Sequence, residues 1–124
     1  MTVIFSETRN IPPDQILALY KANQWSSADK PDQLLKALQH ADSLVSAWAE
    51  DRLVGLGNAI SDGYLVVYYP HLLVLPDYQG QGVGAGILAR LKAKYHEFHQ
   101  HMVVADGRAI DFYIRNGFQT AGNT

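Results

Sequence analysis

The stretch LLVLPDYQGQGVGAGILARL, Leu72–Leu91, decides how the rest of the chain is read. It starts as an unbroken apolar run over Leu72–Leu75 and turns at Pro76-Asp77. It then places glycine at alternate positions, Gly80, Gly82, Gly84 and Gly86. From Gly82 to about Phe98 the spacing predicts a helix, with Val83, Ile87, Leu88, Leu91 and Tyr95 on one face. A buried strand that ends in a glycine-rich turn and opens a helix makes an anion site. Unpaired backbone N–H groups and the positive end of the helix dipole point at whatever sits there. Glycine removes the Cβ atoms that would hold a phosphate away from the backbone. Taken alone, the stretch fits a coenzyme A pyrophosphate, a nucleotide, or a glycine-loosened helix start with no ligand.

Working outward, the residues upstream predict mostly strands. Tyr64–Leu75 reads as a long strand interrupted by Pro70, which has no N–H for a ladder, so Tyr69-Pro70-His71 is expected to bulge or splay. Ser61-Asp62-Gly63 is a hairpin signal joining it to a strand over Leu53–Ile60. Gly55 and Gly57 weaken that strand and predict a bulge or a close backbone neighbour. Ser43–Glu50 is a strand with no purely polar side, so both of its faces are expected to be covered. Asp51-Arg52 is the turn between the two. Earlier still, Val3–Thr8 is a short first strand. Helices follow from Pro12-Pro13 to about Asn23 and from Pro31-Asp32 to about Ala41-Asp42, with a polar loop over Gln24–Lys30. Downstream, Met102–Ala105 reads as a short buried strand and Arg108–Asn116 as a helix closed by Gly117. Strands first and strand–helix–strand–helix afterwards predict an α/β (α+β) chain, a mixed sheet with helices packed on it.

Whole-chain numbers narrow the function classes. At 124 residues the chain suits one domain, residues 1–124, with a real core. Apolar residues make up 48% and charged residues 18%, an ordinary globular balance. A net charge of −2 argues against a general nucleic-acid binder, which needs a basic face. Without cysteine there are no disulfides, thiolate metal sites or cysteine nucleophiles. No apolar run approaches the ~20 residues of a membrane helix, and MTVIFSETRN has neither the basic region nor the apolar core of a signal peptide. A cytoplasmic protein without a membrane partner is the expectation.

Two motifs together resemble a family. Gln79-Gly80-Gln81-Gly82-Val83-Gly84 looks like the Gln/Arg-x-x-Gly-x-Gly/Ala signature of the GNAT superfamily of N-acetyltransferases, and Val74–Tyr78 resembles its lead-in. Ala109-x-x-Phe112-Tyr113-x-x-Asn116-Gly117-Phe118 is similar to the family's second signature, a helix ending in Gly-Phe. The resemblance covers Leu53–Phe118. It implies a twisted mixed sheet whose fourth and fifth strands, here Tyr64–Leu75 and Met102–Ala105, splay apart to hold acetyl-CoA. Family members continue beyond Gly-Phe into a last strand. Gln119–Thr124 is too short and polar to supply much of it, so the sheet is expected to be incomplete at that edge or completed by another chain, for instance in a homodimer.

A dinucleotide site is a rival, because Gly80-x-Gly82-x-x-Ala85 fits the looser Rossmann pattern. In that fold the glycines follow the strand directly, whereas here Pro76–Gln79 intervenes and only about forty residues remain for further sheet. A P-loop is excluded, since no Gly-Lys-Ser/Thr follows the glycines.

The resemblance also assigns roles. Gln79, Gly80, Gln81, Gly82, Val83 and Gly84 would bind the pyrophosphate through backbone amides. Leu73, Val74 and Leu75 would offer backbone groups to the pantetheine arm and polarise the thioester carbonyl. Tyr113 would protonate the departing thiolate, its phenol being a neutral donor at pH 7; a packed aromatic beside Phe112 is the bland alternative. His71, next to the expected bulge, would take the amine proton directly or give way to a water relay; a solvated histidine at a strand end is its alternative. Tyr64, Tyr68, Tyr69, Trp48 and Trp25 are candidates for an aromatic acceptor pocket, with core packing as the alternative for each. Asp106 and Arg108 sit near the mouth of the V. His96, His99 and His101 do not make His-Glu-x-x-His, because Gln100 stands at the fourth position, so no metal is expected. The implied function is transfer of an acetyl group from acetyl-CoA to a primary amine on a small molecule, a protein or a peptide, by direct attack. A non-catalytic acyl-CoA-binding or regulatory module of the same fold is the second expectation.

Overall fold

The structure is a computed structural model that describes residues 2–122; residues 123 and 124 of the tail discussed above lie outside it. The elements are β1 (Ile4–Ser6), α1 (Pro13–Ala22), α2 (Pro31–Gln39), β2 (Ser43–Ala49), β3 (Arg52–Ser61), β4 (Val66–Tyr68), β5 (Leu72–Val74), α3 (Val83–Ala93), β6 (Gln100–Met102) and α4 (Arg108–Arg115). They form a mixed α/β architecture, a six-stranded sheet flanked by four helices, in the order β1-β2-β3-β4-β6 with β5 paired to β3 beside β4. Every pairing is antiparallel except β4 with β6. Among the described residues no helix is long and apolar enough to cross a membrane.

The sheet is covered on both faces, as the run through β2 demands: of its residues only Trp48 is not fully buried. Helix α3 packs on β2, β3 and β5, while α1 packs on β3 and β5. Glycine in β3 explains how close α3 lies. A Cβ on Gly55 would stand 2.9 Å from Ile87 Cδ1, and one on Gly57 would stand 2.6 Å from Ile87 Cγ2. The close neighbour expected at these glycines is therefore a helix side chain. The register also slips beside them, since Ala47 faces Gly55 while Trp48 faces Leu53.

The interruption at Pro70 is real. Gly57 pairs with Leu72 and Ile60 with Tyr68, so Tyr69, Pro70 and His71 oppose only Asn58 and Ala59. The Asn58 side chain fills the gap, its Oδ1 accepting the His71 N–H at 2.9 Å, while the Asn58 backbone N–H donates to the His71 carbonyl at 3.1 Å.

Two boundaries differ from the sequence reading. The strand expected as buried at Met102–Ala105 is Gln100–Met102, and it lies at the sheet edge with Met102 and Val104 exposed. Its pairing with β4 ends where Tyr69 N–H donates to Met102 O at 3.0 Å, because Pro70 has no N–H and the chain then turns onto β3. Val103–Ala105 are left outside the ladder. Helix α3 stops at Ala93 rather than near Phe98. Tyr95 remains buried because its hydroxyl bonds Asp42 Oδ2 and Ser43 Oγ, both at 2.5 Å.

Helix α4 ends as its glycine requires. Gly117 takes φ 98°, its N–H donates to Ile114 O at 3.2 Å, and Phe118 N–H donates to Tyr113 O at 3.0 Å. The termination swings the Phe118 ring onto Tyr113, with centroids 5.5 Å apart.

Candidate active site

Strand β5 has one occupied edge and one open edge. Leu75 N–H donates to Val54 O at 2.8 Å, and the His71 carbonyl accepts from Asn58 N–H. Alternation then turns the backbone groups of His71, Leu73 and Leu75 toward β3 and those of Leu72 and Val74 the other way. Of the three residues expected to serve a pantetheine arm, only Val74 turns its backbone to the open side, and there its carbonyl already accepts from Gln79 and Asn23, so the N–H is the group it offers. Leu72, not singled out from the sequence, is its companion. The period of two was legible in the apolar run, but its phase depended on the pairing with β3.

The open edge leads straight into the turn. Residues Pro76–Tyr78 make one 3₁₀ turn, and Gly80 and Gly82 follow with φ 77° and 85°. Side chains with a Cβ rarely adopt this left-handed region. Nothing lies within 4 Å of where a Cβ on either residue would sit, so the space before α3 is open. Gly82 is the N-cap of α3 and supplies no side-chain cap, leaving the first amides of the helix directed outward. Val83, buried, anchors the turn to the core. Of the other two glycines of the motif, Gly86 serves packing, since a Cβ there would collide with the Phe5 ring, whereas a Cβ on Gly84 would meet the Phe112 ring at an ordinary contact distance of 3.5 Å. The glutamine side chains brace the backbone. Gln79 Nε2 donates to Val74 O at 2.9 Å and to Asn23 Oδ1 at 3.1 Å, and Gln81 Nε2 donates to Asp77 O at 3.1 Å. Asn23 Nδ2 also donates to Val74 O, at 3.1 Å, which ties the end of α1 to the end of β5.

Tyr113 and His71 occupy different surroundings. Tyr113 is 9% exposed and packs edge-on against Phe112 and Phe118. Burial, helped by the nearby Tyr68, pushes its phenol pKa up, so it stays protonated at neutral pH. It lines a cavity of about 810 Å³ between β6, α4 and the residues after Phe118. His71 is held from the α1 side. Its Nδ1 lies 2.7 Å from Tyr20 Oη, and Trp25 stands edge-to-face with it at 5.1 Å. Burial lowers its pKa.

The aromatic candidates separate. Trp25 touches His71, and Tyr68 lies near Tyr113. Tyr64 is 86% exposed on the hairpin loop. Tyr69 is a core residue, 2% exposed and bonded to His101 Nδ1 at 2.8 Å. Trp48 donates to Ser46 Oγ within its own strand. Tyr20 was legible only as one apolar position of α1. Asp106 and Arg108 lie exposed at the start of α4. Among the described residues no group of three or more His, Asp or Glu side chains is placed to hold a metal ion.

Comparison with known proteins accords with this geometry. The family model described as an acetyltransferase (GNAT) domain matches residues 9–124. GCN5-related N-acetyltransferase 2, chloroplastic, of Arabidopsis thaliana is 32% identical over 72 residues, covering 56% of this chain and 28% of that protein. The N-acetyltransferase ycf52 of Gracilaria tenuistipitata var. liui is 30% identical over 70 residues, 55% of this chain and 38% of that one. The matches thus span well under half the length of both relatives. A GNAT family acetyltransferase from Streptococcus pneumoniae TIGR4 superposes with a TM-score of 0.84 at 27% identity, covering 95% of this chain and 88% of that one. AAC(6')-Iy in complex with the bisubstrate analogue CoA-S-monomethyl-acetylneamine shares the fold, with a TM-score of 0.77 at 14% identity over 100% of this chain and 95% of that one. With a family match over nearly its whole length, two N-acetyltransferase relatives and this sheet, the chain belongs to the GNAT acetyltransferase family.

Proposed function

We propose that the protein is an acetyl-CoA-dependent N-acetyltransferase in which a primary amine attacks the thioester directly. One observation carries this: the open edge of β5 runs into an uncapped, glycine-lined helix start within a GNAT chain. The residues suit the co-substrate. The space above Gly80 and Gly82 admits a pyrophosphate against the backbone, and the Leu72 and Val74 edge admits an extended amide chain beside it. When bound, acetyl-CoA supplies an activated acyl group on a good leaving thiolate.

The remaining work falls to the chain. The amides of residues 80–84 hold the diphosphate. Backbone N–H groups on the open edge hold the arm and polarise the carbonyl at its end. Tyr113, kept protonated by burial, donates to the leaving sulfur. The amine gives its proton to water. With no cysteine in the chain, there is no acyl-cysteine stage. The outer edge of β6 has no strand partner among the described residues and suits a second copy of the chain.

The test is release of free thiol from acetyl-CoA across a panel of amines, with Tyr113→Phe as control. Amine-dependent release that the substitution slows supports the enzyme. Acetyl-CoA binding with no turnover on any amine turns the reading into that of a binding module. No thermal shift with millimolar acetyl-CoA overturns both.

A further inference from the structure

His71 has a definite tautomer. Tyr20 is 0% exposed, and its hydroxyl has one hydrogen-bond partner among the described residues, His71 Nδ1 at 2.7 Å. A phenol has a single proton to give, and in a buried site that proton needs an acceptor. If His71 donated instead, the Tyr20 proton would be left with none. The hydroxyl therefore donates, Nδ1 is the bare nitrogen, and the proton of the neutral imidazole sits on Nε2. The groups packed on the ring or bonded to its residue are Tyr20 from α1, Trp25 from the loop after it, and Asn58 from β3. None carries a charge that would favour imidazolium. A nitrogen that already holds a proton in the neutral ring is a donor and has no lone pair with which to take one.

His71 directly precedes Leu72, whose backbone opens onto the edge where the thioester belongs, and Nε2 is the ring nitrogen turned away from Tyr20. Resting on the acetyltransferase reading above, we propose that His71 is a hydrogen-bond donor to an oxygen of the acceptor amine, held in that role by Tyr20, and is not the general base. The acceptor class follows. An amine carrying a hydroxyl, carbonyl or carboxylate oxygen near its nitrogen accepts this N–H. A protonated polyamine offers only donors and, among the described residues, meets no carboxylate bonded to or packed on His71.

The tautomer is read by long-range ¹H–¹⁵N correlation on protein with ¹⁵N-labelled histidine at pH 7.5. The expected spectrum has His71 protonated at Nε2 and bare at Nδ1; a proton on Nδ1 overturns the proposal. In the thiol-release assay, oxygen-bearing amines are expected to exceed polyamines about tenfold in kcat/KM, the low end of the penalty for a donor left unpaired, and the reverse order overturns the assignment. His71→Ala is expected to raise the amine KM about tenfold with little change in kcat, and His71→Gln, which keeps an N–H donor, to recover most of that loss. Loss of kcat in both variants at unchanged KM marks a base and overturns the donor role. If no amine turns over in the wild type, the enzyme reading fails and takes the donor role with it, while the spectrum still decides the tautomer.

Discussion

Two glycines of one motif, two residues apart, are expected to respond oppositely to alanine. Gly82 sits at φ 85° with nothing within 4 Å of the added Cβ, so Gly82→Ala brings no clash and its whole cost is the backbone. Holding an L-residue in the left-handed region costs about 1–2 kcal/mol. For a chain of this size that is a Tm lowered by roughly 3–8 °C. Gly84 lies inside α3, where an added Cβ meets the Phe112 ring at 3.5 Å and Val74 Cγ2 at 3.7 Å, ordinary contact distances. Gly84→Ala then removes glycine's helix penalty of about 0.5–1 kcal/mol and is expected to raise Tm by a few degrees. Thermal melts of the free proteins check both signs. Repeating them at saturating acetyl-CoA checks function, because a ligand at one hundred times its Kd adds about 2.7 kcal/mol of stability. Gly82→Ala should lose most of that increment, since its new methyl stands in the open space before the helix, and Gly84→Ala should keep it. Equal destabilisation by the two substitutions would refute the geometric argument. An undiminished ligand shift in Gly82→Ala would refute the placing of the pyrophosphate.

Tyr113→Phe is expected to lower kcat about a hundredfold, the low end for a lost acid catalyst, with the KM for acetyl-CoA unchanged in steady-state thiol release. Gly57→Ala drives a Cβ to 2.6 Å from Ile87 Cγ2, an atom near the backbone with little room to move, and denaturant titration should show a loss of about 1–3 kcal/mol. Stability should fall on acidification: burial holds the His71 and His101 pKa values below those of unfolded histidine, so the unfolded chain binds more protons near that range. The stability is complete above pH ~7 and is lost as pH drops through the unfolded value, ~6.5, toward the folded ones. Melts from pH 8 to pH 5 measure the slope, and His71→Gln should flatten it.

Elements defined by local chemistry were legible in the sequence. The glycine turn, the proline interruption, both N-terminal helices and the Gly117 stop all follow from residues a few positions apart. Positions defined by partners were not. The phase of β5 depends on which of its residues bond β3, and nothing in the apolar run itself separates Leu72 from Leu73 and Leu75. Tyr20 reads as a helix-face aromatic until the fold sets its hydroxyl on His71, 51 residues away. The end of β6 is fixed by Tyr69 and Pro70, just beyond the end of β4, and its own residues carry no sign of it. The shared motif likewise hid a division of labour, with Gly80 and Gly82 shaping a loop while Gly86 admits the Phe5 ring.

Three residues facing two at Tyr69-Pro70-His71 amount to a change of phase. Before the interruption Tyr68 shares a face with Ile60; after it His71 and Leu73 share that same face with Asn58 and Leu56. Even and odd positions exchange sides within one segment, and Tyr69, next to Tyr68, lies in the opposite layer among Tyr95, His101 and Phe118. The segment therefore counts residues. Point substitution there is a local matter, but losing a single codon would leave two residues facing two and erase the interruption, while the pairings of Tyr68 and Leu72 on either side kept their register. Descendants of this chain are free to vary the letters between Tyr68 and Leu72 far more readily than their number.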